Sequence, residues 1–231
     1  MRLWPVIVVC AVPAAAGIHF DGYPHLNRKL TSNRVAIRKA IVLPAEVTFE
    51  EIGTRGSEGG LPEAGQIGKS FYTAAVRELA ARGVEVLPNP LEQARDDGAR
   101  YAVADLQSRF NNIRVQLNKK PGQVEKGRYT LGERAVKFEP GAAADALVFL
   151  RGTGIKLTPG RTALGVAMMG WGVSPEFRGD ITLVDAKTGE VLAYLRFNRS
   201  RDMTVKTGDR FADNVRRALH DVPLPAPPPK K

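Results

Sequence analysis

Residues 177–199 read FRGDITLVDAKTGEVLAYLRFNR, and this stretch predicts a β-hairpin. Apolar residues alternate with others on both sides of a central turn, which is the period of a strand that buries one face. The turn, Ala186 to Gly189, has a glycine where tight turns favour one, and Asp185 precedes it. The pattern therefore predicts two adjacent antiparallel strands.

Strand and helix patterns alternate upstream of this hairpin. Residues 35–44, VAIRKAIVLP, form a β-branched apolar run that ends at a proline. Residues 66–82 carry an apolar residue at every fourth position, and Gly83 follows where a helix cap belongs. Residues 84–90, VEVLPNP, then predict a short strand. Together these segments predict a βαβ unit with parallel strands.

A second helix is predicted from about Ala99 to Asn118. Its narrow apolar seam fits either a coiled-coil partner helix or a helix packed on a sheet, and its short repeat favours the sheet. The seam consists of Val103, Leu106, Phe110, Ile113 and Leu117.

A strand from Asp145 to Lys156 and a last helix from Asp209 to His220 complete the pattern. The predicted order is β-α-β-α-β-β-β-α. This order indicates an α/β (α+β) fold with a single mixed sheet and packed helices.

The chain divides into four predicted segments. Residues 1–16 have an arginine, a short apolar run and an A-x-A pattern, as a cleaved export signal does. Residues 17–34 are expected to be an extended lead-in, residues 35–222 a single α/β domain, and residues 223–231 a disordered proline-rich tail.

Cys10, the only cysteine, lies inside the predicted signal. Two fates are open: lipidation at Cys10, or cleavage after Ala16, which leaves a mature chain without thiols. A thiol-free chain suits an oxidising compartment outside the cytoplasm. The expected location is the periplasm, with association with the outer membrane as an option.

The net charge of +10 over 231 residues does not by itself indicate nucleic-acid binding. Basic residues are interspersed with acidic ones, and aromatics that could stack on bases are scarce. We therefore expect no nucleic-acid partner.

No catalytic, cofactor-binding or metal-binding constellation is predicted. The histidines, His19, His25 and His220, lack metal-site spacing. Asp180 and Asp185 are candidates for an acid–base pair, but Asp185 begins the hairpin turn, where aspartate is expected, and a structural role is favoured for the pair. The GKS tripeptide at residues 68–70 lies inside a helix pattern rather than at its start. We expect no enzyme activity and no cofactor.

Two segments are candidates for binding. Residues 45–65, rich in glycine and glutamate, are predicted to be a long loop that could act as a lid. Residues 162–175, TALGVAMMGWGVSP, carry no charge, and three roles stay open for them: structural filling, contact with a protein partner and contact with a membrane. The candidate contact residues are Val166, Met168, Met169 and Trp171.

Two stretches carry a family resemblance: KGRYTLGERAVKFEPGAAADALVFLRGTGIKL (126–157) and GVSPEFRGDITLVDAKTGEVLAYLRF (172–197). They resemble a group of uncharacterised bacterial envelope proteins, often lipoproteins. That group is similar in architecture to the periplasmic domains of curli-secretion-type lipoproteins and to the N-terminal domain of the Tol translocation protein.

The resemblance implies export, an α/β domain and often a lipid anchor. The function we expect is that of a non-enzymatic accessory or assembly factor that binds other envelope components. Its partners would be other envelope proteins or further copies of the chain, with peripheral membrane contact as an option. The alternative hypothesis is a periplasmic small-ligand-binding protein that uses residues 45–65 as its lid.

Overall fold

The computed structural model describes residues 24–53, 56–60, 63–89, 91, 97–132, 135, 138, 142–158, 176–200 and 208–225. Helices and strands follow one another throughout these ranges. In chain order they are β1 (His25–Leu26), α1 (Arg28–Thr31), β2 (Lys39–Val42), β3 (Glu46–Gly53), β4 (Gly56–Gly60), α2 (Glu63–Ala81), β5 (Glu85–Leu87), α3 (Asp97–Lys119), a 3-10 turn (Pro121–Gln123), β6 (Ala146–Leu157), β7 (Glu176–Asp185), β8 (Val191–Ser200) and α4 (Gly208–Leu219).

The eight strands that the structure describes belong to one mixed sheet, which confirms the predicted fold class. The order across the sheet is β1-β8-β7-β6-β2-β5, and β3 pairs with β6 beyond the end of β2. β2 and β3 run parallel to β6. β7 lies between β6 and β8 and is antiparallel to both. The predicted order corresponds to β2, α2, β5, α3, β6, β7, β8 and α4.

The predicted βαβ unit and hairpin are both confirmed. β2 and β5 pair in parallel from Lys39 opposite Glu85, and α2 connects them. The apolar stripe of α2 is buried, and Gly83 ends the helix with a positive φ of 80°. In the hairpin, Asp185 accepts hydrogen bonds from the backbone N–H groups of Lys187 and Thr188, at 2.7 and 3.0 Å.

Helices cover both faces of the sheet, which we call the α2 face and the α3 face. α1, α2 and α4 pack on the first, and α3 packs on the second. Four of the five seam residues of α3 are buried, and the Phe110 ring stacks on Phe149 of β6 with 4.4 Å between centroids. The prediction of a helix packed on the sheet is therefore correct.

The predicted extended lead-in is wrong for the part of it that the structure describes. His25 of β1 pairs with Tyr194 of β8, and α1 follows with Asn27 as its cap. Leu30 is fully buried in the core on the α2 face. Burying this leucine offsets the cost of ordering a short polar helix. Four residues are too few to show an apolar period, so the sequence pattern did not predict this helix. Residues 17–23 lie outside the described residues.

The predicted loop at residues 45–65 is also wrong. β3 pairs in parallel with β6, from Glu46 opposite Arg151 to Ile52 opposite Leu157, and β4 folds back on β3. Val47 and Phe49 of β3 pack against the core on the α2 face. A strand paired within the sheet cannot serve as a mobile lid, so the lid hypothesis fails with the loop.

Phenylalanine rings on the α2 face pack directly over glycines of the neighbouring strands. A Cβ atom built on any of these glycines would lie within 2.5 Å of a ring carbon, which is closer than real Cβ contacts. The glycines therefore let aromatic rings lie flat on the sheet and contact one another. The pairs are Phe49 on Gly154, Phe177 on Gly152 and Phe197 on Gly179.

We predict that Gly179→Ala destabilises the fold. Its Cβ would lie 2.2 Å from the Phe197 Cζ, so the ring must move out of the core. Overpacking of this kind costs about 1–3 kcal/mol in the free energy of unfolding, measurable by urea denaturation.

Gly65→Ala is the matched control in α2, because a Cβ atom built there would meet no packed neighbour within 4 Å. We expect it to leave stability unchanged or to raise it by up to about 1 kcal/mol. Equal effects of the two substitutions would contradict the packing account.

Candidate functional site

Four charged residues form a row across four neighbouring strands, which we call the charge ladder. Glu46 of β3 lies opposite Arg151 of β6, Arg151 opposite Asp180 of β7, and Asp180 opposite Arg196 of β8. Residues directly opposite one another share a face of a sheet. The ladder thus alternates in sign along the α3 face.

Asp180 is the most deeply placed carboxyl of the ladder, at 4% exposure. Arg114 of α3 donates from Nε and Nη2 to Asp180 Oδ2, at 2.9 and 2.7 Å. Within the described residues, Asp180 Oδ1 and the nearby Thr182 Oγ1 have no hydrogen-bond partner. Burial raises the pKa of Asp180, while the guanidinium groups of Arg114 and the two ladder arginines oppose that rise.

Arg151 is buried to the same degree and is held from three sides. It forms an ion pair with Glu46, donates from Nη2 to the Gln107 carbonyl at 3.2 Å, and lies 5.6 Å from the Phe110 ring centroid. Burial lowers the pKa of Arg151 to about 10, against the opposing charge of Asp180. The side chain therefore stays protonated at neutral pH.

Helix α3 brings a polar stripe to the ladder beside its apolar seam. Gln107, Arg114 and Asn118 are seven and four residues apart, so they lie on one side of the helix. Asn118 Oδ1 accepts a hydrogen bond of 2.6 Å from the hydroxyl of Tyr194 in β8. Burial raises the pKa of Tyr194, and the negative charge of Asp180 raises it further. The tyrosine is therefore a neutral donor.

A cavity of about 370 Å³ opens beside the ladder. A second cavity of about 320 Å³ adjoins it, because Thr153 and Arg178 line both. The first cavity is lined by Thr153 of β6, by Gly179 and Phe197, and by polar side chains from α3, β7 and β8. The polar residues include Arg114, Asn118, Arg178, Asp180, Arg196 and Asn198.

Arg196 differs from Arg151, the other arginine of the ladder, and from Arg114. Its side chain is half-buried, yet within the described residues its guanidinium forms no hydrogen bond or ion pair. The carboxyl opposite it in the sheet, that of Asp180, is held by Arg114. The cavity wall therefore presents a cation whose donors are not used by any residue that the structure describes.

These side chains suit binding better than proton or group transfer. Guanidinium groups remain charged and offer donors in a fixed planar array, and amides and hydroxyls add neutral hydrogen bonds. The carboxyl that lines the ladder end of the cavity, Asp180, is held through Oδ2 by its ion pair with Arg114.

No group of three or more metal-ligating side chains occurs among the described residues. Within the same ranges, no helix has both the length and the apolar character needed to cross a bilayer.

Cys10 and the segment with Val166, Met168, Met169 and Trp171 lie outside the described residues, so their roles remain predictions. His25 lies near Glu125 and His220 beside Asp221, both as exposed pairs.

The residues that form the cavity were missed from sequence. A signal was present, because Arg151, Asp180 and Arg196 each have apolar residues or glycine on both sides within a predicted strand. Charged side chains at such positions are seldom buried unless they are paired. The pattern indicates partners on the same face but does not name them.

We predict that Arg114→Leu lowers the free energy of unfolding by about 2–4 kcal/mol near neutral pH, because the buried Asp180 carboxyl then loses the two hydrogen bonds that hold its Oδ2. A carboxyl whose pKa is raised on folding costs stability above that pKa, and the cost disappears as the pH falls through it. The loss should therefore be smaller near pH 4.5 than near pH 7.

Arg109→Leu is the matched control on the same helix, since Arg109 pairs with exposed Asp105. We expect it to cost no more than about 0.5 kcal/mol. Thermal and urea unfolding of both variants at the two pH values check this. A pH-independent loss, or equal losses, would contradict the assigned role of Asp180.

No protein-family model matches the chain, and no curated protein does. Among solved structures, the PelC dodecamer from Paraburkholderia phytofirmans matches at 12% identity with a TM-score of 0.44, covering 87% of this chain and 96% of that one. The lipoprotein GNA1162 from Neisseria meningitidis matches at 11% identity with a TM-score of 0.40, covering 81% and 99%. At these values, the likeness assigns no partner, assembly or activity to this chain.

Proposed function

We propose that this chain is an exported, non-enzymatic envelope protein that acts as an accessory or assembly factor by binding other envelope components. The observation that carries the proposal is the cavity beside the charge ladder, where the donors of Arg196 have no partner among the described residues. Rigid strands and α3 hold its walls, which is how a preorganised binding site is built.

The chemistry of the cavity supports binding rather than turnover. A general acid or base must change its protonation state near the working pH. The arginines do not do so, and Arg114 holds Oδ2 of the buried Asp180 carboxyl in an ion pair. The site can therefore hold a polar partner in a fixed orientation and need not transform it.

Export rests on the first sixteen residues, whose charge and apolar run suit a signal. A periplasmic chain meets envelope proteins and membrane surfaces, and the uncharged segment at residues 162–175 offers methionines and a tryptophan for such contacts. We propose other envelope proteins or further copies of this chain as partners, with the outer membrane as a nearby surface.

We predict that the full chain, expressed in a bacterial host, fractionates with the envelope and forms cross-linked adducts there. The triple substitution of Met168, Met169 and Trp171 by serine should remove most of these adducts, because it removes the apolar contact surface. The thermal unfolding transition should persist, as a contact role requires.

The control is a double substitution of Tyr101 and Val115 by serine, since both are exposed apolar residues on α3. It should leave the adducts in place. Recovery of the intact chain with Met1 solely from the cytosol would overturn export. Loss of folding in the triple variant would assign the segment to structural filling instead.

A further inference from the structure

The cavity beside the charge ladder carries an excess of positive charge. Arg114 and Arg151 are matched by the carboxylates of Asp180 and Glu46. Arg196 is the cation of the ladder that remains, and within the described residues it has no counter-charge in hydrogen-bonding contact. A half-buried guanidinium in this state has lost part of its hydration without a replacement.

We infer that this cavity binds an oxyanion, a carboxylate or a phosphate group, with Arg196 as the principal donor. The inference rests on the proposed binding function and names the chemistry of its ligand. Guanidinium groups pair with both kinds of oxyanion through two parallel N–H donors, which gives orientation as well as affinity.

The neighbouring side chains place the anion at one end of the site. Asn118 and Thr153 line the first cavity and can add neutral hydrogen bonds. Glu50 lines the second cavity and has no ion pair among the described residues, so its negative charge would repel an anion there, whereas the charge of Asp180 in the first cavity is offset by Arg114. The anionic group therefore lies beside Arg196, and the uncharged body of the ligand extends toward Thr153.

The size of the cavity limits the ligand. A volume of about 370 Å³ lies near the lower end of the range for small-molecule sites. It admits a phosphate or carboxylate with a small body, or the headgroup of an anionic lipid whose chains stay outside. Both sources present the same oxyanion chemistry to Arg196.

The test uses the full chain, Arg196→Gln and the control Arg128→Gln. Arg128 is exposed, and it too has no ion pair in the described residues, so the control removes the same charge elsewhere. The probes are inorganic phosphate and succinate by calorimetry, and vesicles of phosphatidylglycerol with phosphatidylcholine, against phosphatidylcholine alone, by sedimentation.

We expect Arg196→Gln to weaken binding of at least one probe about tenfold or more, as loss of a charge-assisted hydrogen bond does, and Arg128→Gln to leave it unchanged. Binding of phosphate or succinate identifies a free ligand, and binding of anionic vesicles alone identifies a lipid headgroup. Circular dichroism checks folding, and Arg178→Gln replaces Arg196→Gln if that variant does not fold.

Binding of no probe, or equal binding by both variants, overturns the inference. That result differs from failure of the proposed function. A chain that reaches the envelope and cross-links to partners, while showing no dependence on Arg196, keeps its accessory role and loses only the oxyanion site.

Discussion

The contact between Arg114 and Asp180 is the constraint on which the α3 face depends. A carboxylate taken out of water costs several kcal/mol unless charged donors replace the water. Asp180 meets this need with two hydrogen bonds from one helix and with flanking arginines from two strands. Moving α3 along its axis, or shifting one strand by a residue, would leave that carboxylate buried without its partners.

The same strands satisfy a different requirement on the α2 face. In β6, Arg151 joins the charge ladder while the next residue, Gly152, receives the ring of Phe177. In β7, Asp180 faces α3 while Gly179 receives the ring of Phe197. Successive residues of a strand point to opposite faces. A shift by one residue would therefore place charges against aromatic rings, so the two faces fix one register together.

This arrangement places the cavities at the polar end of the sheet. Phe110 and Phe149 give α3 an apolar anchor, and Arg114 gives it a charged one. A row with Thr153 and Arg178 follows the ladder and lines the adjoining cavities. The fold therefore uses most of its charged side chains in this region to hold each other and leaves Arg196 for a ligand.

Local periodicity made much of the fold predictable from sequence. In the hairpin, the βαβ unit and α3, the buried residues of each helix or strand repeat with a regular spacing along a single segment. That spacing predicts each of these elements from the sequence. β3 was missed because glycine and glutamate mask the alternation of Val47 and Phe49, and its partner β6 lies about a hundred residues away. The charge ladder was missed for the same reason: its members meet only through strand register.

A double-mutant cycle between Arg114 and Asp180 tests the central claim most directly. The free energies of unfolding of Arg114→Leu, Asp180→Leu and the double variant give the coupling between the two side chains. We expect a favourable coupling of about 1.5 kcal/mol or more, so that the double variant is destabilised by less than the sum of the two single effects. A coupling near zero would show that the two side chains act independently and would contradict the claim.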